Sequence, residues 1–193
     1  MLIDVYDFDG TIYDGDSTTD FVLFAIRRHP NVLLGLPRIA GAALKLYRKQ
    51  IGLTEFKSVL FAEMAERMEL PTEAGLFWLS PKTKAKLGDW FAHTPRDLPI
   101  AICSASPEFE IIHAAKLLGV KTVIGTRVDT ATGELIGKNC KAEEKLRRLE
   151  QAFGEYEIRA MYTDDAKADG PLLAAAREGY ILTHGKVAPY SKA

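Results

Sequence analysis

The amino-acid sequence predicts an α/β protein, with a Rossmann-like three-layer core around a parallel sheet and an all-helical cap inserted into that core. Three observations support this fold class. An apolar run at residues 2–8 is typical of a buried strand. From residue 11 to about residue 80 only helical patterns occur. After that, short apolar strands alternate with helices, as expected for a mainly parallel sheet covered on both faces.

The inserted segment is predicted to be helical because its apolar residues recur at spacings of three and four. Ser17 or Thr18 can cap its first helix, and Pro30 ends that helix. Further helices are expected over residues 32–50 and 54–68. The domain assignment is therefore a core formed by residues 1–12 and 81–193 and a helical cap formed by residues 13–80.

The second half of the chain is predicted to alternate between strands and helices. A helix should begin at Ser106, because Pro107 suits the first helical position. A hairpin is expected at 128–136 around Gly133. The other strands are expected at 98–103, 121–124, 158–162 and 180–183. The helix that begins at Ser106 should end at residue 118, and two further helices are expected at 141–153 and 171–178.

Composition indicates an ordinary globular protein. The chain has 193 residues, of which 47% are apolar and 26% charged, with a net charge of -1. No strongly basic face is implied, so nucleic acid is not an expected partner. Cys103 and Cys140 fit no metal-binding spacing and favour a reducing, cytoplasmic setting. The N-terminus lacks the basic region of a signal peptide, and the longest apolar stretch, 32–46, is too short to span a bilayer.

Two acids, Asp7 and Asp9, follow the first predicted strand and are separated by one residue. On a strand, side chains two residues apart point the same way, so both carboxylates can share one site. Gly10 and Thr11 indicate that the strand ends there. Paired carboxylates at a strand end can hold a hard cation, and one of them can attack a phosphorus atom.

Further polar residues follow the other predicted strands. Ser104 ends the second strand, Lys141 begins a helix, and an acidic run at 163–169 follows the strand at 158–162. In open α/β sheets ligands collect outside the carboxyl ends of the strands. Carboxylates, a hydroxyl and an ammonium at this edge would suit a phosphate group together with Mg²⁺.

These residues, in this order, resemble the haloacid dehalogenase superfamily of phosphohydrolases over nearly the whole chain. The run from Asp7 to Thr11 matches the DxDGT signature of that family, and Ser104 matches its second motif. The third motif is a lysine, assigned to Lys141 with Lys138 and Lys145 as competitors. The fourth is the acidic cluster from Asp164 to Asp169.

The resemblance implies an enzyme, a Mg²⁺-dependent phosphoric monoester hydrolase acting on a small phosphorylated metabolite. By this resemblance Asp7 attacks phosphorus and forms an aspartyl-phosphate. Asp9 protonates the leaving alcohol and then activates water. Ser104 and Lys141 hold the phosphoryl oxygens.

The same resemblance implies a Mg²⁺ site. Its ligands would be the side chain of Asp7, the main-chain carbonyl of Asp9 and one acid of the fourth motif. Asp164 is favoured over Asp165 because it directly follows the strand. Asp169 would be a supporting acid.

The position of the insertion resembles the helical-cap branch that includes phosphoserine phosphatases. Asp16 lies where that branch carries a cap-facing acid that binds the substrate amino group. The branch also uses a cap arginine for the substrate carboxylate, but residues 53–64 contain none, and Arg67 is the nearest. This departure argues against phosphoserine itself.

The helix at 32–49 is more apolar than a small cap requires, and two interpretations are open. It can form the cap core or a homodimer contact, as apolar helical stripes usually do. Alternatively, it can receive a lipid phosphate or touch a membrane, with basic residues near the anionic headgroups. Alternative functions are a lipid-headgroup phosphatase, a phosphotransferase or mutase, and a non-catalytic phosphate-binding regulatory module.

Overall fold

Six strands form one sheet in a computed structural model that describes residues 1–94 and 96–191. The strands are β1 (Leu2–Tyr6), β2 (Ile100–Pro107), β3 (Thr122–Thr126), β4 (Glu157–Thr163), β5 (Ala176–Thr183) and β6 (Lys186–Pro189). Their order across the sheet is β3-β2-β1-β4-β5-β6. All neighbouring pairs are parallel except β5 and β6. The chain builds outward from β1 on one side and then from β4 on the other, so the topological switch point lies between β1 and β4.

Helices occupy the long connection between β1 and β2. They are α1 (Ser17–Arg28), a 3-10 helix (Pro30–Gly35), α2 (Leu36–Tyr47), α3 (Leu53–Ala65), α4 (Leu70–Leu79), α5 (Pro81–Lys84) and α6 (Asp89–Ala92). The remaining helices are α7 (Glu108–Leu118), α8 (Glu143–Phe153) and α9 (Gly170–Ala175). The predicted fold class, a parallel-sheet α/β core with a helical insertion after the first strand, is confirmed. Among the described residues, no helix is both long and apolar enough to cross a membrane.

The insertion shares one hydrophobic cluster with a face of the sheet. Phe8 follows β1, and its ring lies 5.8 Å from that of Trp78 in α4. The ring of Trp78 also lies 5.5 Å from that of Tyr13. Buried residues of α1 and α3 belong to the same cluster as those of β1 and β2. This packing holds the insertion over the sheet edge at which β1 ends, whereas the division into a core and a cap at 13–80 remains a prediction.

Several element boundaries differ from the sequence-based expectations. The helix expected at 171–178 ends at Ala175, because residues from Ala176 onward pair with β4. The helix expected at 32–50 is divided, with a 3-10 helix up to Gly35 and Pro37 in the first turn of α2. The hairpin expected at 128–136 is present, but its antiparallel pairing is limited to one bridge between Val128 and Leu135 and the hydrogen bonds beside it. β6 was not predicted, because its residues are all exposed and show no alternation.

Candidate active site

A cleft of about 630 Å³ lies at the carboxyl ends of β1 and β4, at the topological switch point. Its core side carries Asp7, Asp9, Lys145, Asp164, Asp165 and Asp169. Its other side is formed by the insertion, with apolar side chains Val22, Leu23, Leu53, Phe56 and Leu60. The cleft therefore combines a charged floor with an apolar wall, and its volume lies in the range of small-molecule sites.

The buried ammonium of Lys145 lies between two carboxylates. Its Nζ donates to Oδ1 of Asp7 at 2.8 Å and to Oδ1 of Asp169 at 2.7 Å. The other oxygen of Asp169 accepts a hydrogen bond from the Thr163 hydroxyl at 2.8 Å. Asp169, expected as a supporting acid, thus holds the lysine against Asp7.

Burial and the neighbouring charges shift the pKa values of Asp7 and Lys145 in opposite directions. Burial raises the pKa of Asp7 to about 7, although the ammonium of Lys145 opposes that rise. Burial also disfavours the charge of Lys145, but Asp7 and Asp169 hold the pKa of Lys145 above its ordinary value. The carboxyl group of Asp7 therefore lies where additional positive charge would stabilise its ionised form.

Lys141, the expected motif lysine, has a different position. It is exposed at the cleft and has no contact with Asp7. The helix expected from residue 141 begins only at Glu143, because Ala142 has a positive φ of 52° that interrupts helical geometry. Lys145 then shares the buried face of α8 with Arg148 and Leu149. In the sequence, the spacing of three and four residues from Lys145 to Arg148 and Leu149 was the signal that favoured Lys145 over Lys141 as the motif lysine.

Asp9 is held by hydrogen bonds from two parts of the chain. Its Oδ1 accepts from the backbone N–H of Ser17 at 2.7 Å, at the start of α1. Its Oδ2 accepts from the hydroxyl of Ser106 at 2.5 Å. Burial raises the pKa of Asp9, and these two donors oppose the rise. Asp9 is thereby oriented jointly by the insertion and by the end of β2.

The two serines near the end of β2, Ser104 and Ser106, do not take their expected positions. Ser106, expected to cap a helix, lines the cleft and contacts Asp9, and Pro107 takes the N-cap position of α7. Ser104, expected to face the phosphoryl group, is buried. Its Oγ accepts from the backbone N–H of Ser106 at 3.0 Å and lies 3.5 Å from Oδ2 of Asp9.

A buried acid that the sequence reasoning missed continues this network. The hydroxyl of Thr18 lies 2.9 Å from Ser106 Oγ and 3.3 Å from Oε2 of Glu110. Burial raises the pKa of Glu110 well above its ordinary value, so its neutral form is favoured. Each hydroxyl has one proton, so a protonated Glu110 lets Thr18 donate to Ser106 and Ser106 to Asp9. The only sign of Glu110 in the sequence was that it is an acid on an otherwise apolar helix face.

Asp164 and Asp165 both line the cleft but are held differently. The backbone N–H of Asp164 donates to Thr11 Oγ1 at 2.9 Å, and the carboxylate lies against Gly10. Gly10 has a φ of 70°, and a β-carbon there would lie 2.1 Å from Oδ2 of Asp164. Asp165 instead caps its own turn, since its Oδ1 accepts from the N–H groups of Lys167 and Ala168 at 3.0 and 2.9 Å.

The donor set at this edge fits Mg²⁺. The expected ligands are carboxylate and carbonyl oxygens, which this cation prefers. Asp7 and both candidate acids of the fourth motif face the same cleft, and Gly10 leaves space beside Asp164 that a side chain would fill. Across residues 1–94 and 96–191, no three His, Cys, Asp or Glu side chains are gathered to hold an ion. The expected set does not need three, because one of its ligands is the carbonyl of Asp9.

Two charged residues of the insertion reach the cleft. Asp16 is exposed and caps α1, because its Oδ1 accepts from the N–H of Thr19 at 2.7 Å. Lys57 of α3, which the sequence reasoning missed, donates to the carbonyl of Ala105 at 2.8 Å and to Oδ1 of Asn139 at 3.0 Å. Nothing in the sequence distinguished Lys57 from other helix lysines. It ties the insertion to the carboxyl end of β2.

The fold and the site together define a Rossmann-like protein whose paired aspartates lie beside a buried lysine at the switch point. The model of the haloacid dehalogenase-like hydrolases matches residues 5–174, and the chain therefore belongs to that family. The prediction of this superfamily, and with it the prediction of an enzyme, is confirmed.

Known relatives agree with this placement. Protein CicA of Caulobacter vibrioides (strain NA1000 / CB15N) is 30% identical over 203 residues, which cover 97% of this chain and 89% of CicA. A protein of unknown function from Bordetella pertussis Tohama I has a TM-score of 0.71 at 20% identity, covering 92% of this chain and 88% of that one. A phosphoserine phosphohydrolase-like protein from Francisella tularensis subsp. tularensis SCHU S4 has a TM-score of 0.58 at 18% identity, with coverages of 93% and 86%. At these identities the two solved structures show a shared fold.

Proposed function

We propose that the protein is a Mg²⁺-dependent phosphatase that hydrolyses phosphate monoesters through an aspartyl-phosphate on Asp7. The observation that carries this proposal is the pairing of a cleft-facing Asp7 with the buried ammonium of Lys145, beside an oriented Asp9. This arrangement supplies a nucleophile, a cation for the phosphoryl oxygens and an acid–base group within one cleft.

In the first step, a carboxylate oxygen of Asp7 forms a bond to phosphorus and the bond from phosphorus to the substrate alcohol breaks. Asp9 gives its proton to the leaving alcohol oxygen. The raised pKa of Asp9 favours the protonated form that this step needs. Lys145 offsets negative charge on the phosphoryl oxygens, whereas the buried Ser104 acts only indirectly, by accepting a hydrogen bond from the N–H of Ser106, which lines the cleft.

In the second step, Asp9 takes a proton from water, and the water oxygen bonds to phosphorus. The bond between phosphorus and the Asp7 oxygen breaks, which releases inorganic phosphate and restores the carboxylate. The hydrogen bonds from Ser17 and Ser106 keep Asp9 in one orientation for both proton transfers.

Mg²⁺ would be held by Asp7, the carbonyl of Asp9 and Asp164, with Asp165 as the alternative ligand. When bound, it supplies positive charge that offsets the charges of the phosphoryl group and of Asp7. We place this activity in the cytoplasm, because Cys103 and Cys140 are both buried free thiols and such thiols suit a reducing compartment.

The apolar wall of the cleft bears on the substrate. Leu23, Leu53 and Phe56 face the same cavity as the aspartates, so a leaving group with an apolar part would bury surface there. The expectation from sequence is a small phosphorylated metabolite, and one without an apolar part would leave this wall in contact with water. The wall therefore favours an amphiphilic phosphate monoester.

Phosphate release from an aryl phosphate, followed by a screen of phosphorylated metabolites and lipids, tests the proposed function. The purified protein with Mg²⁺ should release phosphate, whereas a folded Asp7→Asn variant should release none. Transfer of the phosphoryl group to an added alcohol instead of water would identify a phosphotransferase. Absence of turnover on every monoester would contradict the proposal and favour a phosphate-binding module.

A further inference from the structure

The 3-10 helix and α2 carry an apolar surface that no described residue covers. Five large apolar side chains lie on it, with exposed fractions of 44% for Leu33, 75% for Leu34, 49% for Leu36, 48% for Leu44 and 86% for Tyr47. We call these five residues the α2 face. Side chains of this size are normally buried, and a group of them on one element marks an interaction site.

The α2 face is distinct from the side of α2 that packs on the protein. The helix packs against α3, and its buried or half-buried residues are Ile39, Ala42 and Leu46. Leu36, Leu44 and Tyr47 project from other directions. An ordinary surface helix has one apolar side and a polar outer side. Helix α2 has apolar residues on both sides, so packing within this chain covers only part of its apolar surface.

Positive charge accompanies the α2 face. The sequence contains six Lys or Arg and no Asp or Glu between Asp20 and Glu55, although the whole chain has a net charge of -1. Arg38 is paired with Glu63. Within residues 1–94 and 96–191, Lys45, Arg48 and Lys49 form no ion pair. Lys45 directly follows Leu44, and Arg48 and Lys49 follow Tyr47, so the three cations flank the carboxyl-terminal end of the face.

The α2 face leads to the mouth of the catalytic cleft. The loop 48–52, which contains two of the unpaired cations, connects α2 to α3. Helix α3 begins at Leu53, which is exposed and also lines the cleft. Phe56 and Leu60 continue the cleft wall along the same helix. The chain therefore runs from the α2 face, through a short basic loop, directly into the apolar wall of the cavity that contains Asp7.

We propose that the α2 face docks on an anionic lipid bilayer and that the cleft hydrolyses a phosphate monoester carried by a lipid in that bilayer. The substrate part of this inference rests on the proposed function. Apolar side chains of an amphipathic helix enter the boundary between headgroups and acyl chains, while flanking Lys and Arg contact anionic headgroups. The apolar wall of the cleft would receive the part of the lipid next to its phosphate.

A second copy of this chain fits the α2 face less well than an anionic bilayer does. In a symmetric dimer the same surface meets itself, so Lys45, Arg48 and Lys49 would lie against residues of the same segment in the second copy. The segment between Asp20 and Glu55 contains no acid that could pair with them. An anionic surface satisfies the apolar residues and the cations together.

Vesicle sedimentation tests the docking. Wild-type protein should bind vesicles of phosphatidylcholine with phosphatidylglycerol at least about tenfold more tightly than pure phosphatidylcholine, and added salt should weaken the binding. A Leu34→Ser/Leu44→Ser variant should lose at least about tenfold in this binding. The control is Leu117→Ser, because Leu117 on α7 is also 48% exposed but lies outside the face. Absence of binding, or equal binding by all three proteins, would overturn the docking.

Turnover measurements separate this inference from the proposed function. Leu34→Ser/Leu44→Ser should leave hydrolysis of a dissolved aryl phosphate unchanged and reduce hydrolysis of phosphatidate in vesicles. If aryl phosphate is hydrolysed but neither phosphatidate nor lysophosphatidate is, the lipid substrate is refuted while the phosphatase remains. If vesicles are bound but no monoester is hydrolysed, the phosphatase fails and the docking stands. A wild-type dimer in light scattering that this variant makes monomeric would assign the face to a second copy and overturn the inference.

Discussion

Lys145 and Asp7 lie 138 residues apart in the chain, and Nζ of the lysine donates to Oδ1 of the aspartate at 2.8 Å. The lysine comes from the first turn of α8 and the aspartate from the end of β1. Because both groups are largely buried, each stabilises the charged form of the other. This contact positions a cation beside the proposed nucleophile before any substrate binds.

Replacing the two candidate lysines should give opposite results. Lys145→Ala should lower turnover at least about 100-fold and reduce the free energy of unfolding by about 3–5 kcal/mol, because two buried carboxylates lose their cation. Lys141→Ala removes an exposed side chain and should change stability by less than about 0.5 kcal/mol. Phosphate release and urea unfolding measure both effects. If Lys141→Ala were inactive and Lys145→Ala active, the motif lysine would be Lys141, as expected from sequence.

Asp7→Asn should abolish hydrolysis without unfolding the protein. The amide cannot attack phosphorus, and Lys145 keeps its second partner, Asp169, at 2.7 Å. Circular dichroism and aryl phosphate turnover measure fold and activity. The matched control is Asp14→Asn, at an exposed acid near the same loop, which should remain active. Substantial turnover by folded Asp7→Asn would exclude the covalent route.

Metal removal should stop the reaction, and one acid should control the metal requirement. Chelation should abolish turnover, Mg²⁺ should restore it, and excess Ca²⁺ should inhibit, because Ca²⁺ prefers more ligands and longer distances. Asp164→Asn should raise the Mg²⁺ concentration for half-maximal activity at least about tenfold. Asp165→Asn should change it little, because asparagine can also cap the turn that Asp165 holds. The reverse order would identify Asp165 as the ligand, and full activity after exhaustive chelation would refute the metal site.

Two substitutions of Asp16 separate its role as the cap of α1 from the effect of its negative charge on substrates. Asp16→Ala removes the bond to the N–H of Thr19 and should cost about 1 kcal/mol of stability. Asp16→Asn keeps a capping oxygen and should change mainly the ranking of substrates, because a small aryl phosphate makes few contacts with the insertion. Values of kcat/KM across several monoesters provide the measurement. Equal losses on every substrate would instead mean that Asp16 supports the catalytic core.

Glu110 should make stability depend on pH. Its pKa is raised by burial in the folded protein, so the folded state keeps a proton that the unfolded state loses above the ordinary pKa of glutamate. This contribution to stability is complete below that pKa and is lost as the pH rises towards the folded value. Relative to Glu110→Gln, the wild-type protein should lose up to about 1.4 kcal/mol of unfolding free energy per pH unit in this window. Parallel pH profiles from urea unfolding of the two proteins would show that Glu110 does not titrate in this way.

Local patterns in the sequence were sufficient to predict the fold class and to identify the two acids after β1 as site residues. Alternation of strands and helices depends on residues close together in the chain, and the i, i+2 relation of Asp7 and Asp9 depends only on strand geometry. The family followed from the order of such local motifs. Element boundaries were less certain where pairing in the sheet overrode local preference, as at Ala176, where α9 gives way to β5.

The tertiary structure decided which residues surround the two acids. The helix start at Glu143, after a residue with positive φ, placed Lys145 rather than Lys141 against Asp7. The docking of the insertion on the sheet brought Thr18 to Ser106 and Lys57 to Ala105. These contacts join residues far apart in the chain, and periodicity reports only which neighbours share a face. The sequence therefore determined the fold and the acid pair, while long-range packing decided their partners.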